Sequence, residues 1–97
     1  MLLNILGLSR RAGKLECGFN KAIGSLKRNK AMLIILSSTL SDKTKKEAEY
    51  FCNKHNCPLI ITDYTLEDLA KATGFKAGIF AVTDKGFAEK ISSIANK

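Results

Sequence analysis

The chain has 97 residues, enough for one compact domain and too few for two. Hydrophobic residues make up 45% of it and charged residues 26%, a balance typical of a globular fold, which argues against a disordered chain. The net charge of +7 makes a polyanion the first class of partner to consider, with a basic surface kept only for solubility as the alternative. We therefore expect a single domain over residues 1–97.

Two helices and a short extended segment are predicted in the first third of the chain. The apolar start indicates a short helix that stops by Gly13, and residues 15–17 are typical of an extended segment. Asn29 is suited to the left-handed conformation that ends a helix. The helix before it is predicted from apolar residues at helical spacing, which are Phe19, Ala22, Ile23 and Leu26.

Three strands alternate with three helices in the rest of the chain. The apolar runs 32–36, 58–62 and 79–83 have the length of buried strands. Strands that alternate with helices predict an α/β sandwich whose sheet is covered on both faces. In the last helix, the side chains expected to face the core are those of Phe87, Ile91, Ile94 and Ala95. Cap residues delimit the three helices, namely Ser41 before a helix from Asp42 to Asn56, Thr65 with Asp68 before a helix ending at Gly74, and Asp84 before the last helix.

The positive charge is concentrated in the first half of the chain. Residues 1–46 hold ten Lys or Arg and two Asp or Glu, whereas residues 47–97 hold six and seven. A one-sided basic surface favours a polyanion because binding releases the counterions of that polyanion. The charge pattern by itself fits a nucleic-acid surface and a merely solvated basic face equally well.

The sequence indicates a cytoplasmic protein without membrane contact. Three cysteines, an odd number, argue against a disulfide framework and for a reducing compartment. The apolar stretch 1–8 is too short to span a membrane. It also lacks a preceding basic segment and is followed by Arg10 and Arg11, which does not suit a secretory signal.

The predicted second helix carries the residues that best suit RNA binding. Backbone N–H groups at its start attract phosphate, and Gly18 would allow a nucleic-acid backbone or base to approach closely. Asn20 could read a base edge, because its amide both donates and accepts hydrogen bonds. The alternative is an ordinary amphipathic helix with a solvated back. The remaining polar and basic residues on this face or beside it are Arg10, Arg11, Lys14, Lys21, Gly24, Lys27 and Arg28, with Lys30 beyond the helix.

Gly24 argues against the ordinary amphipathic helix. A glycine inside a helix costs about 1 kcal/mol relative to alanine. On the polar face that cost is not offset by core packing, whereas the close approach of a partner would offset it. A tolerated weakness of the helix is the alternative.

The whole chain resembles the kink-turn-binding ribosomal-protein superfamily, and within it the small bacterial YlxQ-like branch. The resemblance runs from Leu6 to about Ile91 and depends on the order and spacing of several segments. It implies a three-layer α/β/α sandwich with a mainly four-stranded mixed sheet, and binding to kinked internal loops in RNA. The segments are LGLSRRAGKLECG, KAMLIILSSTLSDKT, CPLIIT, and LEDLAKATG followed by IFAVTDKGFAEKI.

The resemblance also implies which residues contact RNA. In the superfamily a Gly-x-Asn-Glu-x-x-Lys segment opens the second helix and contacts sheared G·A pairs. Gly18 and Asn20 match this segment around Phe19, Lys21 stands where Glu is common, and Gly24 replaces the Lys. The second contact implied is the loop before the last strand, which here is Phe75, Lys76, Ala77 and Gly78.

Zinc binding and catalysis are the two other functions that the sequence brings to mind, and its residues favour neither. Cys52, His55 and Cys57 have a spacing that could suit zinc, but a structural zinc site needs four ligands and Cys17 is the only remaining thiol. An enzyme would need a nucleophile with a base, or paired carboxylates, and the single histidine with scattered acids does not supply them. We therefore expect no metal, no cofactor and no catalysis.

The expected partner is structured RNA, with ribosomal RNA among the candidates, bound by a monomer. The alternative is a protein-interaction module of the same fold with only general RNA affinity, because the superfamily also contains members that bind proteins.

Overall fold

A computed structural model describes residues 2–95 of the chain, in which five helices and four strands alternate. Every element predicted from the sequence is present in the predicted order. The elements are α1 (Leu2–Arg11), β1 (Leu15–Cys17), α2 (Phe19–Lys27), β2 (Leu33–Leu36), α3 (Asp42–Lys54), β3 (Leu59–Ile61), α4 (Leu66–Thr73), β4 (Ile79–Val82) and α5 (Lys85–Ala95).

The four strands form one mixed sheet in the order β1-β4-β2-β3. Strand β4 is antiparallel to both of its neighbours, and β2 is parallel to β3. The register brings Cys17, Leu36, Ile61 and Ile79 to one end of the sheet, which we call the Cys17 end. The loops that leave β1, β2 and β3 and the loop that enters β4 therefore meet at this end.

Alternating side chains of the sheet build two cores on its two faces, which confirms the three-layer α/β/α sandwich. Leu33, Ile35, Phe80 and Val82 pack with buried residues of α1, α4 and α5. The intervening residues Ile34, Leu36, Ile79 and Ala81 pack with α2 and α3. Both faces of β2 and β4 are covered, which explains why these strands are continuous apolar runs.

The predicted caps hold the helix ends. Ser41 accepts a hydrogen bond from the Thr44 N–H at the start of α3, and Thr65 with Asp68 forms a capping box at the start of α4. Asp84 accepts a hydrogen bond from the N–H of Phe87 in the first turn of α5. The left-handed residues that follow or end helices are Gly13, Asn29, Asn56 and Gly74.

The structure corrects three details. The strands are shorter than the predicted runs, because Met32, Pro58, Thr62 and Thr83 lie outside the ladders. Strand β3 is not fully buried, since it pairs with β2 alone at the sheet edge and leaves Ile61 47% exposed. The inward face of α5 is also mispredicted in part. Ile91 is buried and Phe87 and Ile94 pack against the core, but Ala95 is exposed and Ala88 is buried instead.

The helices are short, and the longest of them, α3, has 13 residues. Within residues 2–95 there is no helix with the length and apolar character needed to cross a membrane.

Candidate nucleic-acid interface

The start of α2 leaves backbone donors open at the Cys17 end of the sheet. Gly18 is the N-cap residue, and no side chain caps the helix there. Its φ of 99° lies in a region that residues with a Cβ rarely adopt, so the glycine is required by this turn. The Gly18 N–H donates to the Ile79 carbonyl oxygen over 2.9 Å, which fixes the helix start beside β4. The N–H groups of the first helical turn have no partner within the helix, and they point away from it along the helix axis.

The loop between α4 and β4 lies against this helix start. The ring of Phe75 comes within 3.9 Å of the position that a Cβ on Gly18 would take. Phe75 is 38% exposed and Lys76 is exposed, whereas Ala77 is half-buried against the core. The structure thus brings together the two segments that the resemblance implied. We call Gly18, Asn20, Lys21, Phe75 and Lys76 the Gly18 site.

Arg10 contacts the Phe75 loop of the Gly18 site. Its guanidinium donates to the Thr73 carbonyl oxygen over 3.0 Å and lies 5.5 Å from the centroid of the Phe75 ring. The side chain is half-buried, and Cys17 lies beside it. Burial raises the pKa of the Cys17 thiol, and the Arg10 charge opposes that rise. Arg10 therefore links α1 to the Phe75 loop, a positioning role that the sequence did not reveal.

Three predicted residues lie apart from the Gly18 site. Phe19 is half-buried and packs against the core under α2 and α3 rather than facing outward. Arg11 lies along a groove between α1 and α4, together with Asp68 and Lys71. Lys14 precedes β1 at the opposite end of the sheet, where its carbonyl oxygen accepts from Thr83.

The exposed face of α2 continues from the Gly18 site toward the end of the helix. Asn20, Gly24 and Lys27 follow one another at four- and three-residue spacing and so share this face. The Arg28 guanidinium lies over Gly24, where its Nη1 is 3.2 Å from the position of a Cβ. Lys27 leans toward α3, with its Nζ 5.7 Å from the centroid of the Phe51 ring.

The cations on this face are not neutralised by neighbouring carboxylates. Among the residues that the structure describes, one ion pair has its atoms within 4.0 Å, and it joins Lys85 to Glu89 in α5. Lys21, Lys27 and Arg28 therefore present their charges to solvent, where they are available to a polyanion.

Sequence reasoning missed the contact between the loop that joins β2 to α3 and the Phe75 loop. Gly78 has no Cβ, and one placed there would lie 2.5 Å from Leu40 and 2.7 Å from Leu66. The Ser37 N–H also donates to the Gly78 carbonyl oxygen over 2.8 Å. A glycine directly before a buried strand was the available signal, because such glycines often mark a close approach.

The side chains considered for metal or catalysis have other partners. No group of three His, Cys, Asp or Glu that could hold a metal ion forms within residues 2–95. Cys52 is buried in α3, and its hydrogen bond to Cys57 raises the pKa of Cys52 and lowers that of Cys57. The Ser37 hydroxyl bonds the Thr39 hydroxyl and the Tyr64 carbonyl oxygen, so it serves the loop after β2.

This fold, with an open helix start beside the loop that enters β4, defines a class of small α/β/α proteins of the ribosomal-protein type. Residues 2–92 match the Ribosomal protein L7Ae/L30e/S12e/Gadd45 family, and the chain belongs to that family. Its match covers nearly the whole of the described fold.

Individual relatives agree with this assignment. The chain is 32% identical to the RNA-binding protein YlxQ of Bacillus subtilis, over 93% of this chain and 90% of that protein. It is 30% identical to the large ribosomal subunit protein eL30B of Schizosaccharomyces pombe, over 84% of this chain and 71% of that protein. A solved structure of a Bacillus halodurans protein of unknown function superposes with a TM-score of 0.93 at 27% identity, covering 99% and 97% of the two chains.

Proposed function

We propose that this chain is a single RNA-binding domain that recognises kinked internal loops in structured RNA through the Gly18 site. The observation that carries the proposal is the contact between the uncapped start of α2 and the exposed Phe75 loop. Together they form one surface with open backbone donors, an aromatic ring and basic side chains. The similarity to RNA-binding protein YlxQ supports the same function.

Each residue of the site has a role that follows from its chemistry. Asn20 is exposed and reads base edges, while Gly18 lets a nucleotide approach the helix start. Lys21 and Lys76 contact phosphates, as do Lys27 and Arg28 further along α2. Arg10 holds the Phe75 loop in place, and Arg11 and Lys14 contribute outlying positive charge. Phe75 offers its ring to an unpaired base, because 38% of the side chain remains exposed.

The function is binding without catalysis or a cofactor, by a monomer in the cytoplasm. Ribosomal RNA is the first RNA to test, since the chain is also similar to a ribosomal protein, eL30B.

The test compares two RNAs of equal length, one with a kinked internal loop containing tandem G·A pairs and one a plain duplex. Binding is measured by fluorescence anisotropy at two salt concentrations. Preference for the kinked RNA at both concentrations supports the proposal, because base-edge contacts depend less on salt than phosphate contacts. Equal affinity for both RNAs would leave a general RNA binder, and no binding at low salt would overturn the proposal.

A protein-interaction module is the second candidate, and one observation favours it. Leu8 is 45% exposed in the groove of about 500 Å³ between α1 and α4, away from the Gly18 site. If RNA binding is undetectable at low salt, this groove becomes the first surface to examine.

A further inference from the structure

The outer face of α3 combines an exposed aromatic ring with lysines. Tyr50 is 61% exposed, more than any other large hydrophobic side chain that the structure describes. Lys46 and Lys54 lie four residues before and after it, and Lys43 lies seven residues before it. Residues at these spacings share one helix face, so the ring has a lysine on both sides along α3.

The ring is supported from the side that faces α2. Tyr50 meets Phe51 edge-on, with ring centroids 5.3 Å apart and an interplanar angle of 75°. The Lys27 ammonium of α2 lies over Phe51 in turn. This chain of contacts positions Tyr50 without covering it, because the tyrosine remains mostly exposed.

The charges around Tyr50 are mixed with an excess of lysines. Glu47 lies three residues before Tyr50 and shares its face with Lys43, Lys46 and Lys54, while the exposed Glu49 precedes Tyr50 directly. In residues 2–95 none of the α3 lysines lies within 4.0 Å of a carboxylate oxygen, so their charges remain available to a polyanion. Both α2 and α3 pack on the same face of the sheet, so the outer face of α3 adjoins the basic face of α2. An RNA that occupies the Gly18 site and leaves along α2 would therefore reach Tyr50 by way of Lys27, whose ammonium lies over the Phe51 ring.

We propose that Tyr50, Lys46 and Lys54 bind a single-stranded RNA segment that extends from the structured RNA held at the Gly18 site. An unpaired base stacks on the Tyr50 ring, and the lysines contact the phosphates on either side of it. Lys27 and Phe51 connect this surface to α2. The inference depends on the proposed RNA-binding function and adds a second contact with a different kind of RNA structure.

The first experiment measures affinity for the kinked-loop RNA with and without an unpaired extension of eight nucleotides, placed at each end in turn. For the unaltered chain the extension at one end should strengthen binding by about tenfold, the effect of one stacked base. Tyr50→Ala should abolish this gain and leave the affinity for the RNA without extension unchanged. Tyr50→Phe should retain the gain, because the ring remains.

Lysine variants separate the contribution of base stacking to RNA affinity from the contribution of charge. Lys46→Gln together with Lys54→Gln should reduce the gain from the extension and make it less dependent on salt. Lys71→Gln together with Lys90→Gln is the matched control, since both are exposed lysines of the opposite layer and should leave the gain unchanged.

Tyrosine fluorescence provides a direct reading of the contact. The chain has two tyrosines and no tryptophan, so Tyr64→Phe leaves Tyr50 as the sole emitter. The extended RNA should quench this emission more than the RNA without extension. Equal quenching by the two RNAs, or no gain in affinity from an extension at either end, would overturn the inference while binding at the Gly18 site stands.

Two further outcomes would also overturn it. A change in sedimentation behaviour of Tyr50→Ala without RNA would show that a second copy covers this face. Equal weakening by Tyr50→Ala for RNA with and without the extension would show that the residue acts through the fold. Failure of the unaltered chain to bind the kinked-loop RNA itself would instead refute the proposed function.

Discussion

At the scale of single residues, the glycine that caps α2 and the glycine inside it differ in what the backbone requires of them. Gly18 adopts a φ of 99° at the helix start, a conformation that a Cβ would strain. Gly24 has ordinary helical geometry, and a Cβ there would meet only the end of the flexible Arg28 side chain, at 3.2 Å. The first glycine is required by the backbone, while the second leaves space that the Arg28 guanidinium occupies.

Alanine at each of these two positions should therefore change stability in opposite directions. We expect Gly18→Ala to lower the free energy of unfolding by about 1–3 kcal/mol, the cost of a strained backbone. Gly24→Ala should raise it by up to about 1 kcal/mol, because alanine favours a helix interior and Arg28 can move aside. Urea denaturation measures both values. A loss of stability in Gly24→Ala would contradict the view that Arg28 yields easily.

Asn20 and Lys21 are neighbours with different predicted roles. Asn20→Ala should remove the preference for the kinked RNA over the duplex, because a base-edge contact worth about 1–3 kcal/mol is lost. Lys21→Ala should weaken both RNAs alike and make binding less dependent on salt. Anisotropy titrations with both RNAs distinguish the two effects. An equal loss for kinked RNA and duplex in Asn20→Ala would show that Asn20 does not read bases.

At the scale of elements, periodicity and caps were sufficient to predict nine helices and strands. Ser41, Thr65 and Asp84 each cap the predicted helix, and Asn29 takes the predicted left-handed conformation. Asn56, predicted to end α3, is left-handed as well. The strand ends were less certain, because residues next to a strand continue its backbone hydrogen bonds without belonging to it. Met32 donates to the Val82 carbonyl oxygen and Thr83 to the Lys14 carbonyl oxygen, although neither lies within a strand.

Other features depend on contacts that are distant in sequence. The position of β3 at the sheet edge follows from strand order, which a run of apolar letters does not specify. The meeting of Gly18 with Phe75 was implied by the resemblance alone, and it arises because β1 pairs with β4. The position of Arg10 on the Phe75 ring and of Arg28 over Gly24 also required coordinates, since both depend on side-chain direction.

The junction of α3 and β3 holds a pair of thiols with unequal reactivity. The hydrogen bond between the two thiols lowers the pKa of Cys57 and raises the pKa of Cys52, which burial raises further. Cys57 is also half-buried, whereas Cys52 and Cys17 are buried. Iodoacetamide should therefore alkylate Cys57 first, and the rate should already rise at a pH below the ordinary thiol range.

Removing the hydrogen-bond donor tests this assignment. Cys52→Ala should shift the pH profile of Cys57 alkylation upward, because the thiolate loses its stabilising partner. Cys17→Ser is the control and should leave the profile unchanged, since Cys17 lies beside Arg10 at the Cys17 end of the sheet. Peptide mapping by mass spectrometry identifies the modified residue. Faster labelling of Cys17 than of Cys57 would contradict the prediction.

At the scale of the whole molecule, the positive charge is not spread evenly over the helices. Helix α2 with the adjoining Arg28 holds three bases and no acid, whereas α3 holds four lysines and three acids. On the other face of the sheet, α1, α4 and α5 together hold five bases and three acids. The α2 side of the Gly18 site is therefore the part of the surface toward which a polyanion is attracted most strongly.

Two triple variants with the same net charge test whether the layer or the total charge governs RNA binding. Lys21, Lys27 and Arg28 are changed to Gln in one variant, and Lys71, Lys85 and Lys90 in the other. Each variant loses three of the seven net positive charges. If the α2 residues each contact a phosphate, the slope of log affinity against log salt should become shallower by about 2–3 in the first variant and change little in the second. Equal slopes in the two variants would mean that RNA affinity depends only on the overall charge of the protein, and the proposed interface along α2 would then be wrong.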